Sequence, residues 1–230
     1  MHQFVETAYY GAGYVRLLLA HHRDRAGRVA PRLKHGATEA VLLIPGFLGP
    51  SSVMRPLELR FELSGMAAFT FDLGFYSTLP FTKIKERLAN LVATVCADNP
   101  SLQRLSIVAH SMGGLIAEQL IAEGAFNGLA TKLVTLGSPF GGTWAALMGC
   151  PISLSAYEML PIRRQYLDFF GSQNRITIPF LSIAGRNDIL APAERCVHRD
   201  AVRHTMPVDH AGLILQKKVF HVAREFLAQG

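Results

Sequence analysis

One serine lies between residue types that favour a sharp turn out of a buried strand. Residues 107–114 read IVAHSMGG, an apolar run that ends at Ser111, with Ala109 two residues before it and Gly113 two residues after it. Small side chains at these two places let a strand and the next helix approach each other closely, as in the nucleophile elbow G-x-S-x-G. Such a turn exposes the hydroxyl, so we expect Ser111 to be a nucleophile rather than only a helix N-cap.

A serine nucleophile needs a histidine base, and four histidines follow Ser111 in the chain. His210 lies in the loop 208–213 (VDHAGL), just before the last predicted helix, where its side chain can reach the elbow. The other three fall in a predicted strand, a predicted helix and a less favourable loop: His204, His221 and His198. Because this type of elbow is followed by an acid and then a histidine, we predict His210 as the base.

The acid that orients this base should lie between the serine and the histidine. Asp188 directly follows a predicted strand, at the edge of the sheet where such sites assemble. Three other aspartates are less favourable, because one lies in a long insertion and two lack a preceding strand end: Asp168, Asp200 and Asp209. Asp209 adjoins His210, but adjacent side chains rarely face each other. We therefore predict Asp188.

Two backbone N–H groups are candidates for binding a negatively charged oxygen. Residues 44–49 read IPGFLG after the first core strand, where Pro45 has no N–H and Gly46 permits a tight turn. The Phe47 N–H is therefore the first candidate. The second is the Met112 N–H, at the start of the helix behind Ser111.

Short apolar runs that alternate with helical patterns should position these residues. Strands are predicted at 40–44, 67–71, 105–109, 132–136, 179–184 and 202–206, and helices at 5–22, 83–97, 112–123 and 211–227. Continuous apolar strands are typical of a parallel sheet that is buried on both faces. We predict one α/β domain over residues 1–230, with a mostly parallel, doubly wound sheet flanked by helices.

One connection is too long for a simple crossover. About forty residues separate the fourth and fifth strands, and they are rich in apolar and aromatic side chains. We predict a helical cap or lid insertion at 141–175. The predicted substrate-binding residues are Leu48, Trp144, Leu147 and Met148.

Composition excludes several classes of protein. Half of the residues are apolar and 17% are charged, which is ample for one core and unlike a disordered chain. Lys and Arg number 23 against 17 Asp and Glu, for a net charge of +6. This excess is compatible with contact to an anionic membrane. No nucleic-acid module accompanies it, so no nucleic-acid partner is predicted.

Cysteine use and hydropathy suggest a compartment. Cys96, Cys150 and Cys196 form no CxxC pair, so neither a disulfide framework nor a zinc site is indicated. We predict no metal and no cofactor. Neither a secretory signal nor a membrane-spanning apolar stretch is apparent, so we expect a cytoplasmic protein, with a peripheral membrane location compatible with its charge.

Several segments together resemble the α/β-hydrolases, and most of all the small bacterial lipases and esterases. They are PGFLG at 45–49, the elbow at 107–114, VTLGSP at 134–139, ND at 187–188 and VDHAGL at 208–213. Two features depart from that pattern. Pro45 stands where these enzymes usually have histidine, and the basic N-terminal region has no counterpart in their smallest members.

The resemblance implies acyl transfer to water. Ser111 would attack the substrate, His210 would carry the proton, Asp188 would orient His210, and the Phe47 and Met112 amides would bind the oxyanion. The predicted function is hydrolysis of a carboxylic ester, of a small molecule or a lipid. Two alternatives remain: an acyltransferase or thioesterase with the same triad, and a non-catalytic binding protein on the same fold. The oligomeric state is left open.

Overall fold

The computed structural model describes residues 33, 36–126, 128–163 and 175–229. The predicted helix at 5–22 and Asp168 lie outside these ranges, as do residues 164–174 of the predicted cap.

The described residues form a six-stranded sheet in which every neighbouring pair is parallel. The strands are β1 (Glu39–Ile44), β2 (Ala68–Thr70), β3 (Arg104–His110), β4 (Ala130–Leu136), β5 (Phe180–Gly185) and β6 (Val202–Met206). Their order is β2-β1-β3-β4-β5-β6, so the chain changes direction across the sheet between β1 and β3. Such a reversal opens a crevice at the carboxyl ends of the strands, and Ser111 follows β3 there.

Helices cover both faces of this sheet. They are α1 (Ser51–Leu63), α2 (Phe81–Asp98), α3 (Met112–Ala122), α4 (Leu154–Glu158), α5 (Gly212–Leu215) and α6 (Lys217–Ala228). Along β1, Leu42 and Ile44 pack with α2 and α3, whereas Val41 and Leu43 pack with α1 and α6 on the opposite face. The predicted fold class is therefore confirmed, with two cores that share one sheet.

Two helices differ from the sequence prediction. Helix α1 was not predicted, because Pro56 lies inside it and interior proline usually breaks a helix. Its start is instead held from outside, since the Asp72 carboxylate accepts hydrogen bonds from the Ser51 N–H and hydroxyl. The predicted closing helix at 211–227 is divided into α5 and α6 by Gln216, whose backbone is extended.

Candidate active site

The elbow at the end of β3 is built as its small residues require. Ser111 has φ 53° and ψ −124°, a strained conformation for a residue with a side chain. A Cβ on Gly113 would collide with the Pro45 carbonyl oxygen, and one on Gly114 would collide with the Ser138 hydroxyl. Glycine is therefore needed at both positions for α3 to start directly behind Ser111.

Asp188 and His210 are joined by a short hydrogen bond. His210 Nδ1 donates to Asp188 Oδ2 at 2.6 Å, across the loops that follow β5 and β6. The other carboxylate oxygen accepts the N–H groups of Leu190 at 2.9 Å and Ala191 at 2.8 Å. Because Asp188 is only 4% exposed, these bonds fix its orientation. With Nδ1–H committed, Nε2 of the neutral His210 ring is free to accept a proton.

The competing candidates have other partners. The Asp209 carboxylate accepts the Gly212 N–H at 2.7 Å and so caps α5. Asp200 binds the Arg175 side chain and the Ile176 N–H. His198 lies 3.7 Å from Glu118, while His204 and His221 lie within β6 and α6.

Ser111 and the bonded pair of Asp188 and His210, predicted from the sequence as nucleophile, acid and base, lie at the same edge of the sheet. The Ser111 N–H donates to the Leu136 carbonyl at 2.9 Å. A Cβ on Gly137, the next residue, would lie 3.1 Å from Asp188 Oδ2 and 3.3 Å from His210 Nδ1. Within the described ranges the Ser111 hydroxyl forms no hydrogen bond with His210. Such bonds are often long in unliganded sites and tighten when substrate binds.

The predicted oxyanion donors lie beside the elbow. Residues 46–49 form a turn in which the Gly49 N–H donates to the Gly46 carbonyl at 3.0 Å. A Cβ on Gly46 would lie 2.9 Å from the Ser111 Cβ, so the turn and the elbow are in direct contact. In the part of the chain that the structure describes, neither the Phe47 N–H nor the Met112 N–H has an acceptor. Both are available to an oxygen of a ligand.

His110 belongs to the site but was not assigned a role from the sequence. It is 1% exposed, its Nε2–H donates to the His210 carbonyl at 3.2 Å, and the two rings lie 4.4 Å apart. Burial lowers the pKa of His110 well below its ordinary value, and the nearby His210 lowers it further. His110 is therefore a neutral ring packed on His210. In the sequence, the position of His110 next to Ser111 is the signal that could have assigned it to the site.

Solved structures with the same fold are enzymes. The lipase BlEst2 of Bacillus licheniformis in its mature form is 16% identical, with a TM-score of 0.74 over 86% of this chain and 96% of that one. The metagenomic carboxyl esterase MGS0156 is 12% identical, with a TM-score of 0.68 over 88% and 79% of the two chains. The Pyrococcus furiosus esterase PF2001 is 18% identical, with a TM-score of 0.63 over 85% and 84%.

The chain has the α/β-hydrolase fold. Residues 76–158 match the family described as "Putative serine esterase (DUF676)". No curated protein matches in sequence. The matched segment includes Ser111 and ends before Asp188 and His210. This match supports the predicted class of enzyme, an esterase or lipase.

The four predicted substrate-binding residues are exposed, and we call the surface that carries them the apolar rim. Leu48, Trp144, Leu147 and Met148 are 39%, 52%, 53% and 80% exposed. Other exposed apolar side chains lie at 76–79, further along the segment that follows Met148, and on the Asp188 loop: Tyr76, Leu79, Ile152, Leu154, Tyr157, Ile162, Ile189 and Leu190. Hydrogen bonds link these segments, as between the Thr143 hydroxyl and the Leu190 carbonyl. An apolar surface of this kind is typical of a contact site.

Other kinds of site are not apparent in the described ranges. They contain no cluster of three side chains able to hold a metal ion, and no helix with the length and hydropathy needed to cross a membrane. A cavity lined by Glu39, Met66 and Arg104 lies at the opposite edge of the sheet, away from the elbow.

Proposed function

We propose that this α/β-hydrolase cleaves carboxylic esters through an acyl-enzyme on Ser111. The observation that carries the proposal is the 2.6 Å bond between Asp188 and His210, at the same sheet edge as the strained Ser111. An acid, a base and an exposed hydroxyl in this arrangement are the parts of a hydrolytic triad.

The reaction then follows from the roles of these groups. Ser111 Oγ attacks the ester carbonyl carbon while His210 Nε2 takes the hydroxyl proton, and Asp188 stabilises the resulting imidazolium. The Phe47 and Met112 N–H groups bind the oxyanion of the tetrahedral intermediate. The alcohol leaves with the proton from His210. Water, activated by His210, then attacks the acyl-enzyme and releases the acid.

The apolar rim supports an ester with an apolar acyl chain, of a small molecule or a lipid. We propose that the cap at 141–175 selects this chain, because its described part presents Trp144 and Met148 to solvent near the site. The net charge of +6 together with the rim supports peripheral contact with an anionic membrane. The three free thiols support a cytoplasmic location, and the apolar rim supports a role in lipid metabolism.

Hydrolysis of p-nitrophenyl esters from acetate to palmitate tests the proposal. Wild type should hydrolyse part of the series, and Ser111→Ala should lose about 10⁶-fold in kcat. Ser64→Ala, at the carboxyl end of α1, is the matched control and should retain full activity. A folded wild type that is inert on every ester, or equal activity in Ser111→Ala, would contradict the proposal. Product analysis with an added alcohol separates hydrolysis from acyl transfer.

A further inference from the structure

The turn at 46–49 has two N–H groups outside its own hydrogen bond, and only one of them is required to bind a substrate oxygen. A four-residue turn uses the carbonyl of its first residue and the N–H of its fourth, so the N–H groups of Phe47 and Leu48 take no part in its own hydrogen bond. Leu48 also has φ 51°, a left-handed conformation that normally favours glycine. Something outside the turn must therefore stabilise this conformation.

Ser77 supplies that support. The Leu48 N–H donates to Ser77 Oγ at 2.9 Å, and the Ser77 hydroxyl donates in turn to the Gly74 carbonyl at 2.7 Å. Ser77 is fully buried, in the 3-10 turn Gly74–Thr78 that precedes α2. The Ser77 hydroxyl thus accepts one hydrogen bond and donates another. The bond that it accepts holds the turn that carries Phe47.

The first part of the cap holds Ser77 from the other side. The Ser155 hydroxyl donates to the Ser77 carbonyl, and the Ser153 hydroxyl donates to the Thr78 carbonyl at 3.3 Å. The two hydroxyls lie 2.8 Å apart, and both residues are buried at the start of α4. Buried hydrogen bonds of this kind fix the relative position of the segments that they join.

The side chain of Phe47 contacts the same part of the cap. A Cβ on Gly149 would lie 3.1 Å from the Phe47 ring and 2.9 Å from the Ala156 side chain. Phe47 therefore packs against the cap through its ring, while its neighbour Leu48 is held through Ser77. Both contacts fix the direction of the Phe47 N–H.

We infer that Ser77 is a positioning residue for the oxyanion hole, and that Ser153 and Ser155 couple it to the cap. Ser77 binds the Leu48 N–H and so leaves the Phe47 N–H as the one presented to substrate. This inference rests on the proposed function. It also means that residues 153–159 support the active site and do not swing away from it as a free lid.

Removal of the Ser77 hydroxyl should impair the transition state more than the ground state. Without it the strained turn relaxes, and the Phe47 N–H leaves the position where charge develops. For Ser77→Ala we expect kcat to fall about 10- to 100-fold. KM should stay within about twofold, because oxyanion contacts strengthen only in the transition state. Ser77→Thr keeps the hydroxyl and should restore most of the loss.

A matched control separates positioning from general destabilisation. Ser182 is 1% exposed, and its hydroxyl donates to the Cys196 carbonyl at 2.7 Å. Ser182→Ala removes one buried hydrogen bond, whereas Ser77→Ala removes two, so its midpoint of unfolding should also fall, by up to the same amount, with kcat retained. An unchanged kcat in folded Ser77→Ala, or an equal kcat loss in Ser182→Ala, would overturn the inference.

Amide hydrogen exchange tests the same contact without catalysis. Exchange at Leu48 should be faster in Ser77→Ala than in wild type, and also faster in Ser155→Ala, which serves if Ser77→Ala does not fold. Unchanged exchange at Leu48 would overturn the inference. A wild type that is inert on esters would contradict the proposed function alone, because exchange at Leu48 would still decide whether Ser77 holds the turn.

Discussion

His110 shows how a residue beside the proposed nucleophile can support the proposed base. Its buried ring packs on His210, and its Nε2–H holds the His210 carbonyl at 3.2 Å. Among the described residues its Nδ1 has no hydrogen-bond partner, and it lies close to Gly46 of the turn at 46–49. A neutral His110 is thus compatible with a His210 that becomes positive during catalysis, whereas a charged one would repel it.

The lowered pKa of His110 predicts an acid-side loss of stability. The unfolded chain binds a proton on His110 near pH 6.5, and the folded chain does not. Above pH 6.5 His110 therefore costs the folded protein no stability. As the pH drops below that value, the free energy of unfolding falls, because only the unfolded chain takes up the proton. His110→Gln removes this dependence, so its free energy of unfolding should fall less between pH 7 and pH 5 than that of wild type. Urea unfolding at several pH values measures the difference, and parallel pH profiles would contradict the prediction. His210 lies in contact with His110 and is kept in both variants.

At the scale of elements, the junction between β3 and α3 sets the geometry of the site. Gly113 and Gly114 allow α3 to pack against the end of β1 and against Ser138. The same close packing brings the turn at 46–49, with the proposed oxyanion donor Phe47, beside Ser111. Helix packing and catalytic geometry therefore depend on the same missing side chains.

Gly113→Ala should lower both stability and activity. Its added Cβ would meet the Pro45 oxygen and would lie 2.8 Å from the Ile44 side chain, so α3 must shift. We expect a loss of about 1–3 kcal/mol in the free energy of unfolding, with a lower kcat. At Gly124 an added Cβ meets no atom within 4 Å, although φ is +70°. Gly124→Ala should therefore cost about 1 kcal/mol of backbone strain and leave kcat unchanged. Equal kcat values in the two variants would contradict this account.

The elements differ in how well the sequence predicts them. Continuous apolar runs identify the buried strands, because β1 and β5 are covered on both faces. Helix α1 is missed, because Pro56 is locally a helix breaker. The support at its start comes from Asp72, which is distant in sequence. The same limit applies to the site. Ser111, Asp188 and His210 carry local motifs, whereas the support from Ser77 depends on contacts between segments that are far apart in sequence.

At the scale of the molecule, exposed apolar side chains gather on the segments around the site. Met148 and Ile189 are 80% and 86% exposed, and they follow β4 and β5 respectively. Leu63 is equally exposed, at 79%, but it ends α1, which begins at the site's edge of the sheet and runs away from it. Met148 and Leu63 are thus a matched pair of exposed positions, one near the site and one away from it.

Met148→Ser should lower activity on long acyl chains selectively. An exposed apolar side chain at the rim contributes to binding only when the substrate or its surface covers it. We expect kcat/KM for palmitate esters to fall about 3- to 10-fold and that for acetate esters to stay unchanged. Leu63→Ser should change neither. A similar loss on both esters, or in both variants, would argue against a role for the rim.

The positions of Ser111 and His210 in the sheet have a consequence for heat inactivation. Ser111 follows the central strand β3, whereas His210 follows β6, an edge strand whose first three residues are exposed. Edge elements open at a lower free energy than central ones. On warming, His210, the proposed base, should therefore lose its position before β3 and Ser111, the proposed nucleophile, lose theirs. Activity would then disappear reversibly while most of the sheet is still intact, so the working temperature limit lies below the midpoint of global unfolding.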